Sequence, residues 1–209
     1  TIKKIKSKAR EYDIYVLAGS IPEKDEGNDR IFNNSDLINP DGNIIAKYRK
    51  LHMFAIDIEG QPTYRESSLI QPGEDVVTVE TEIGTLGLSI CYDLRFPELF
   101  RRLTKKGAQI VFLPAAFTLH TGKDHWEPLI RARAIENQLF FIASGQIGYH
   151  PPERECYGNS MIVDPWGTVL AKAANRPGVA LAEVDVSYQD KTRRDLPCLD
   201  HIREDVFKI

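Results

Sequence analysis

Two hydrophobic patterns alternate along this chain, and their boundaries mark its elements. Short, unbroken apolar runs rich in β-branched and aromatic residues are typical of strands buried on both faces, whereas apolar positions spaced three and four apart indicate helices. The runs predict strands at Asp13–Pro22, Ile31–Ile38, Ile44–Tyr48, Val76–Thr81, Leu86–Ile90, Gln109–Pro114 and Leu139–Gly145. The helical spacing predicts helices over the opening residues Thr1–Arg10, Pro97–Lys106, His125–Gln138 and Ser187–Asp195.

Turn and loop sequences separate these elements. Asn39-Pro-Asp-Gly42 places Pro and Gly as a hairpin needs, so the flanking strands should form a β-hairpin. Polar or Gly/Pro-rich stretches predict irregular segments at Glu23–Arg30, 51–75 and Ala115–Asp124. Near the end, turn sequences at Asp164–Gly167 and Asn175–Gly178 separate three further predicted strands, Ser160–Val163, Val169–Lys172 and Val179–Val184. Buried strands alternating with helices predict a single α/β domain over residues 1–209.

The composition and charge of the chain limit the classes of partner that it can bind. With 209 residues, 42% of them hydrophobic, and a formal charge of -3, the chain can bury one large core. Acidic and basic residues are interspersed, which disfavours nucleic acid and anionic membrane and favours a small-molecule ligand. Three cysteines without zinc-like spacing, and an opening with no signal-peptide pattern or membrane-length apolar run, favour the cytoplasm.

Cys91 is the first candidate for chemistry, because a buried strand stops there and a helix begins. A thiol at such a corner lies near unpaired backbone N–H groups and the positive end of the helix dipole, which favour the thiolate. The flanking Pro97 and Glu98 suit a first helical turn. The alternative is a buried cysteine that acts as a small hydrophobe.

A thiolate that opens an amide also needs a cation for the developing oxyanion and an acid/base group for the leaving amine. Lys50 at the exit of the hairpin and Glu66 in the irregular segment have the required chemistry. Taken alone, however, a lysine at a strand end and a glutamate in a loop are most often solvated charges.

Five motifs, in order along the chain, resemble the nitrilase (carbon-nitrogen hydrolase) superfamily. They are Tyr48-Arg-Lys-x-His-x-Phe54, Tyr64-Arg-Glu-Ser67, Gly87-x-x-Ile-Cys-Tyr-Asp-x-Arg-Phe-Pro-Glu98, His125-Trp-Glu-x-x-x-Arg-Ala-Arg-Ala-Ile-Glu-Asn137 and Tyr157-Gly-Asn-Ser-Met-x-x-Asp-Pro-Trp-Gly167. The resemblance extends from about Ala9 to Phe207.

The resemblance implies a four-layer α-β-β-α sandwich with a Glu-Lys-Cys site, a second glutamate, and no metal or cofactor. Carried over by motif, Cys91 is the nucleophile, Lys50 the oxyanion-stabilising cation and Glu66 the second glutamate that holds Lys50. The N–H of Tyr92 would complete the oxyanion hole. The chemistry would be attack on an amide carbonyl, loss of ammonia and hydrolysis of the thioester, in a homodimer or a higher homo-oligomer.

Within the superfamily, the chain resembles most the ω-amidase and deaminated-glutathione-amidase branch, which implies a small linear amide substrate. Arg95 could bind a distal carboxylate of that substrate, or it could pair with Glu98 or Asp93. Glu127 could add a carboxylate near Lys50.

One expected part of the family pattern does not match. The family's general-base glutamate lies in a Pro-Glu motif after an early strand, and Pro22-Glu23 falls in the region that matches after that strand. We therefore expect the N-terminal strands, helix and base to be missing from this chain. Two alternatives follow: a catalytically dead binding or scaffold module, and a Cys-His-Asp triad that uses His125 or His201.

Overall fold

The computed structural model describes residues 1–24, 27, 29–56, 64–151 and 154–207, which form two compact units, Thr1–Val77 and Thr78–Ile209. Both helices and sheets are present, so the predicted α/β class is confirmed. Whether the whole chain acts as one domain stays a prediction. No helix among the described residues combines the length and the apolar character needed to cross a bilayer.

The first unit begins with α1 (Ile2–Tyr12), which packs on an antiparallel sheet of β1 (Val16–Lys24), β2 (Ile31–Ile38) and β3 (Ile44–Arg49). The predicted hairpin is confirmed: Gly42 N–H donates to the Asn39 carbonyl over 2.8 Å. The predicted start of the first strand at Asp13 is wrong, because Asp13 ends α1 in the left-handed conformation, with φ 53°. The strand also continues to Lys24, which pairs with Ile31.

The irregular segment 51–75 carries two short strands, β4 (Ala55–Ile56) and β5 (Tyr64–Arg65), followed by a 3₁₀ turn at Glu66–Ser68. The two strands pair in antiparallel fashion. Residues 57–63 lie outside the described residues.

The second unit is built on a six-stranded sheet in the order β13-β12-β9-β8-β7-β6. Its three central strands are parallel, and the outer pairings are antiparallel. The strands are β6 (Thr78–Thr81), β7 (Gly84–Leu88), β8 (Ile110–Ala115), β9 (Phe140–Gly145), β12 (Met161–Val163) and β13 (Val169–Lys172). A separate hairpin, β10 (Ile147–His150) with β11 (Arg154–Tyr157), was not predicted.

Three helices complete this unit: α2 (Pro97–Lys105), α3 (Leu119–Asn137) and α4 (Val186–Asp195). The predicted loop Ala115–Asp124 is wrong in its second half, because α3 begins at Leu119. In that turn Gly122 lies against Tyr157 of β11, where a Cβ on the glycine would stand 2.4 Å from the tyrosine Cβ. The contact requires glycine at this position, although glycine is a weak helix former.

The predicted strand Val179–Val184 is also wrong. These residues form no strand among the described parts of the chain, and Val179 and Leu181 are 82% and 84% exposed. Their alternating apolar pattern fits a half-buried strand, but a strand also needs a hydrogen-bonded neighbour.

Candidate active site

Cys91 lies at a corner that follows β7, and its backbone is unusual. The chain leaves the sheet at Ser89, whose N–H donates to the Phe112 carbonyl over 3.1 Å. Two residues later Cys91 takes φ 49°, in the left-handed region. For a residue with a Cβ this conformation costs about 1–2 kcal/mol, and such outliers cluster at functional sites. The Cys91 thiol forms no disulfide and is partly exposed.

The corner itself is a 3₁₀ turn, Cys91–Arg95, and we call Ile90–Arg95 the elbow. Two hydrogen bonds join Asp93 to Ile90 at the start of the elbow. The Asp93 carboxylate accepts the Ile90 N–H over 2.8 Å, and the Asp93 N–H donates to the Ile90 carbonyl over 3.1 Å. The expected direct junction of strand and α-helix is wrong, because α2 begins only at Pro97. The backbone next to the thiol is therefore that of the 3₁₀ turn rather than the first turn of α2.

The other two cysteines have different surroundings. Cys156 is buried in β11, and burial raises the pKa of its thiol; Glu155 adds to this rise, while Arg154 opposes it. Cys198 is exposed near the end of the chain. Of the three thiols, Cys91 alone combines partial exposure with a left-handed backbone.

Arg95 ends the elbow among aromatic rings. Its guanidinium lies 5.2 Å from the ring centroid of Phe117 and 5.8 Å from that of Tyr92. Its Nη1 stands 3.2 Å from Nδ1 of His125, and since arginine only donates, the imidazole nitrogen must be the acceptor. Arg95 thus contacts an imidazole and two rings, and among the described residues the alternative ion pair with Glu98 or Asp93 is not formed.

These contacts also bear on the alternative triad. His125 directs its Nδ1 to Arg95. The alternative Cys-His-Asp triad stays a prediction.

Helix α3 contributes three charged side chains that contact other elements: Glu127, Arg131 and Arg133. Glu127 pairs with Lys172 of β13 at 2.8 Å, with both side chains 37% exposed. Arg131 donates to the Gly167 carbonyl over 2.8 Å, and Arg133 donates to the Leu94 carbonyl in the elbow over 3.1 Å. Arg133 also pairs with Glu136, three residues later on the same helix, at 2.9 Å.

The first unit carries a buried ion pair between Lys50 and Glu66. Lys50 directly follows β3 and Glu66 directly follows β5, and they are 2% and 7% exposed. The Lys50 ammonium donates to Oε2 of Glu66, which also accepts the Phe54 N–H over 2.7 Å. The expectation of two solvated charges, drawn from each residue alone, is wrong.

Asn33 of β2 contacts both members of this pair, and the sequence analysis missed it. Its carbonyl accepts the Lys50 N–H over 2.9 Å, and its side-chain amide lies 3.4 Å from Oε1 of Glu66. An asparagine inside a predicted strand was the available signal, because strands are depleted in this residue.

Glu23, the carboxylate of the Pro22-Glu23 pair, is engaged elsewhere on the same sheet. It bonds Arg49 over 2.9 Å and also Lys47. Burial raises the pKa of Glu23, but the hydrogen bonds and charges of Arg49 and Lys47 outweigh burial and leave this pKa lowered. A carboxylate held in its charged form by two cations is a poor proton carrier.

A thiol outside any disulfide, at a tight turn between a strand and a helix, is an arrangement typical of a nucleophilic hydrolase. The sequence profile of the family described as carbon-nitrogen hydrolase matches residues 1–194, so the chain belongs to the carbon-nitrogen hydrolase family. The deaminated glutathione amidase of Synechocystis is 42% identical over 204 residues, which cover 96% of this chain and 75% of that protein. Family and relative together identify an amidase-type enzyme, and they give no support to a dead module.

Solved structures agree with this assignment. The crystal structure of the C. elegans NitFhit protein matches with a TM-score of 0.93 and 44% identity, over 99% of this chain and 50% of that one. An amidase from Nesterenkonia, captured after Michael addition of acrylamide at its active-site cysteine, matches with a TM-score of 0.75 and 26% identity. The match covers 94% of this chain and 73% of that one. The nitrilase-like fold is thereby confirmed. The matches cover nearly all of this chain and give no support to the expected loss of N-terminal strands and helix.

Proposed function

We propose that this chain hydrolyses the amide of a small linear substrate through a thioester on Cys91. The observation that carries this proposal is the left-handed φ of Cys91, just after β7. The backbone is strained at this residue, and its thiol is partly exposed, whereas Cys156 is buried and Cys198 is exposed near the end of the chain. The names of the relatives support amide chemistry, and the Nesterenkonia adduct supports a cysteine as the reacting group.

The reaction divides into two balanced steps. The sulfur of Cys91 attacks the amide carbonyl carbon, the C–N bond breaks, and the thiol proton goes to the leaving nitrogen, so that a primary amide releases ammonia. Water then attacks the thioester carbon, the C–S bond breaks, and the water's proton returns to the sulfur as the carboxylic acid leaves. Because Glu23 is engaged with Lys47 and Arg49, we do not assign it as the proton carrier.

Both steps place negative charge on the carbonyl oxygen, and we assign its stabilisation to the Lys50 ammonium and the Tyr92 N–H. A lysine ammonium has three donors, and Glu66 accepts one of them. Glu66 is itself fixed by the Phe54 N–H, so it can orient Lys50 without moving. Removal of one oxyanion donor typically costs about 10²–10³ in kcat.

We further propose that Arg95 binds a distal carboxylate of the substrate. Its guanidinium lies over aromatic rings and meets a neutral nitrogen of His125, and among the described residues no carboxylate forms an ion pair with it. A 2-oxo dicarboxylic acid monoamide or deaminated glutathione would provide such a carboxylate. Glu127 as an active-site carboxylate stays a prediction, and its ion pair with Lys172 favours a structural role. A homodimer and a cytoplasmic location also stay predictions.

Intact-mass spectrometry with acrylamide tests the assignment of the nucleophile. We expect one adduct, mapped to Cys91 by peptide analysis, and none in Cys91→Ala. Cys198→Ser is the matched control, because it removes the exposed thiol and should leave the adduct and amide hydrolysis unchanged. Labelling of Cys91 that is no faster than that of the buried Cys156 would contradict the proposal.

Substrate preference tests Arg95. Arg95→Gln should raise KM for a carboxylate-bearing amide about tenfold or more, since a charge-assisted hydrogen bond contributes about 1.5–3 kcal/mol. It should leave the hydrolysis of a neutral amide such as butyramide within about twofold. An equal effect on both substrates would remove Arg95 from the carboxylate site.

A further inference from the structure

Arg133 joins the elbow to two helices through one buried guanidinium. The residue is 6% exposed, on α3. Its Nε donates to the Leu94 carbonyl over 3.1 Å, and its Nη1 bonds Oε1 of Glu136 over 2.9 Å. The guanidinium carbon also lies 5.7 Å from the ring centroid of Phe100 on α2. Three separate parts of the second unit therefore meet at this side chain.

The Leu94 carbonyl needs this donor. Leu94 is fully buried, and a buried carbonyl without a partner costs about 1–3 kcal/mol. The N–H groups of Asp93 and Phe96 donate to the carbonyls of Ile90 and Asp93 at the two ends of the turn. The charged donor of Arg133 adds a strong hydrogen bond at the Leu94 carbonyl, near the end of the elbow.

The strained residue lies between two such anchors. Asp93 accepts the Ile90 N–H just before Cys91, and Arg133 holds Leu94 three residues after it. The left-handed φ of Cys91 costs about 1–2 kcal/mol, so this backbone persists only where its surroundings determine it. Release of either anchor would let the turn relax toward an ordinary conformation and would move the sulfur.

We propose that Arg133 is a positioning residue for the acyl transfer: its bond to Leu94 keeps the elbow in the geometry that aims Cys91. This inference rests on the proposed function of Cys91. Arg133 acts through the backbone and contacts neither the substrate nor the sulfur in this role. Since a displacement of about 1 Å can cost about 10²-fold in rate, a loosened elbow should lower kcat and leave substrate binding largely intact.

Arg131 provides a matched control on the same helix. It also donates its Nε to a main-chain carbonyl, that of Gly167, over 2.8 Å, in the turn before β13. Arg131→Lys removes a comparable bond from a site outside the elbow. Arg133→Lys keeps the charge and the aliphatic stem but loses the planar Nε donor that meets Leu94.

The experiment compares Arg133→Lys, Arg131→Lys and Cys91→Ala in the full chain. For Arg133→Lys we expect kcat and the alkylation rate of Cys91 by iodoacetamide to fall about 10–100-fold per folded molecule, with KM within about twofold. Arg131→Lys should match the wild type in all three measurements.

Each result decides the proposal. A folded Arg133→Lys enzyme with the kcat and alkylation profile of Arg131→Lys would overturn it. If Arg133→Lys does not fold, Glu136→Gln replaces it: this change loosens Arg133 without removing it and should lower kcat in the same direction, and an unchanged kcat would overturn the proposal. Full activity in Cys91→Ala would instead refute the proposed function.

Discussion

The buried Lys50–Glu66 pair allows a sharp test, because its two charges can be removed separately or together. Lys50→Met leaves the Glu66 carboxylate buried without its cation, and Glu66→Gln leaves the Lys50 ammonium without its anion. The double variant buries neither charge. Gln at position 66 still offers an oxygen to the Phe54 N–H, which bonds Oε2 of Glu66 over 2.7 Å, so that bond is retained throughout the cycle.

The expected magnitudes follow from the burial of both groups, at 2% and 7% exposure. Removing one partner of a buried pair costs about 3–5 kcal/mol, because an uncompensated charge remains. Replacing both by uncharged residues of similar volume is often neutral or stabilising, so the double variant should be more stable than either single variant. With a urea slope of about 2 kcal/mol/M, each single change should lower the midpoint by about 2 M.

Urea unfolding at neutral pH, followed by circular dichroism, measures the cycle. The control is the surface pair Lys8–Glu11, joined over 2.7 Å with side chains 47% and 49% exposed. There, Lys8→Met and Glu11→Gln should each change stability by less than about 1 kcal/mol. If the losses at Lys50 and Glu66 simply add in the double variant, the two charges are not coupled and our account of the pair is wrong.

Three further changes test the backbone and the charges. Cys91→Gly should be more stable than Cys91→Ala by up to about 1 kcal/mol in thermal unfolding, because glycine relieves the left-handed φ. The control is Ala132→Gly within α3, where the same exchange of alanine for glycine should destabilise the protein by about that amount. If glycine were less stable than alanine at both positions, the backbone of Cys91 would not be strained. Gly122→Ala should destabilise although it lies in a helix, because the new Cβ would stand 2.4 Å from the Tyr157 Cβ; a raised melting temperature would disprove that contact. Burial raises the pKa of Glu23, but Arg49 and Lys47 outweigh it, so its stabilisation is present above the unfolded-state pKa of about 4.3 and is lost as pH falls through the lower folded value. The stability difference between wild type and Glu23→Gln should therefore shrink below about pH 4.3 in pH-dependent unfolding, and a difference that grows would refute this sign.

The sequence predicted the central sheet well because its strands are long apolar runs that local pattern alone identifies. It failed where a distant contact decided the structure. The first turns of α3 contain Gly122, a weak helix former, and they are helical while packed on Tyr157, more than thirty residues later. The segment Val179–Val184 shows the reverse case, since its alternating pattern indicates a strand and no described strand pairs with it.

In the candidate site, too, local pattern identified some residues, while contacts with distant residues decided the rest. Cys91, Lys50 and Glu66 could be chosen by motif, and the resemblance implied that Glu66 holds Lys50, but nothing in the local pattern indicated that this pair would be buried. Asn33 could not be foreseen, because its role depends on the register that places its carbonyl opposite the Lys50 N–H. Register is fixed by strand pairing and turn geometry, which short motifs do not encode.

One physical reason explains why sequence motifs reveal some functional residues and miss others. Cys91, Lys50 and Glu66 each stand directly after a strand or at the start of a 3₁₀ turn, where the backbone leaves its ladder and a side chain can be directed away from the sheet. The residues that hold them, Asn33 and Arg133, lie inside regular elements, where they resemble ordinary polar positions. Their contribution lies in one bond to a carbonyl or carboxylate far along the chain. A conservative change that preserves charge but loses that bond, such as Arg133→Lys, should therefore affect catalysis more than its small chemical difference indicates.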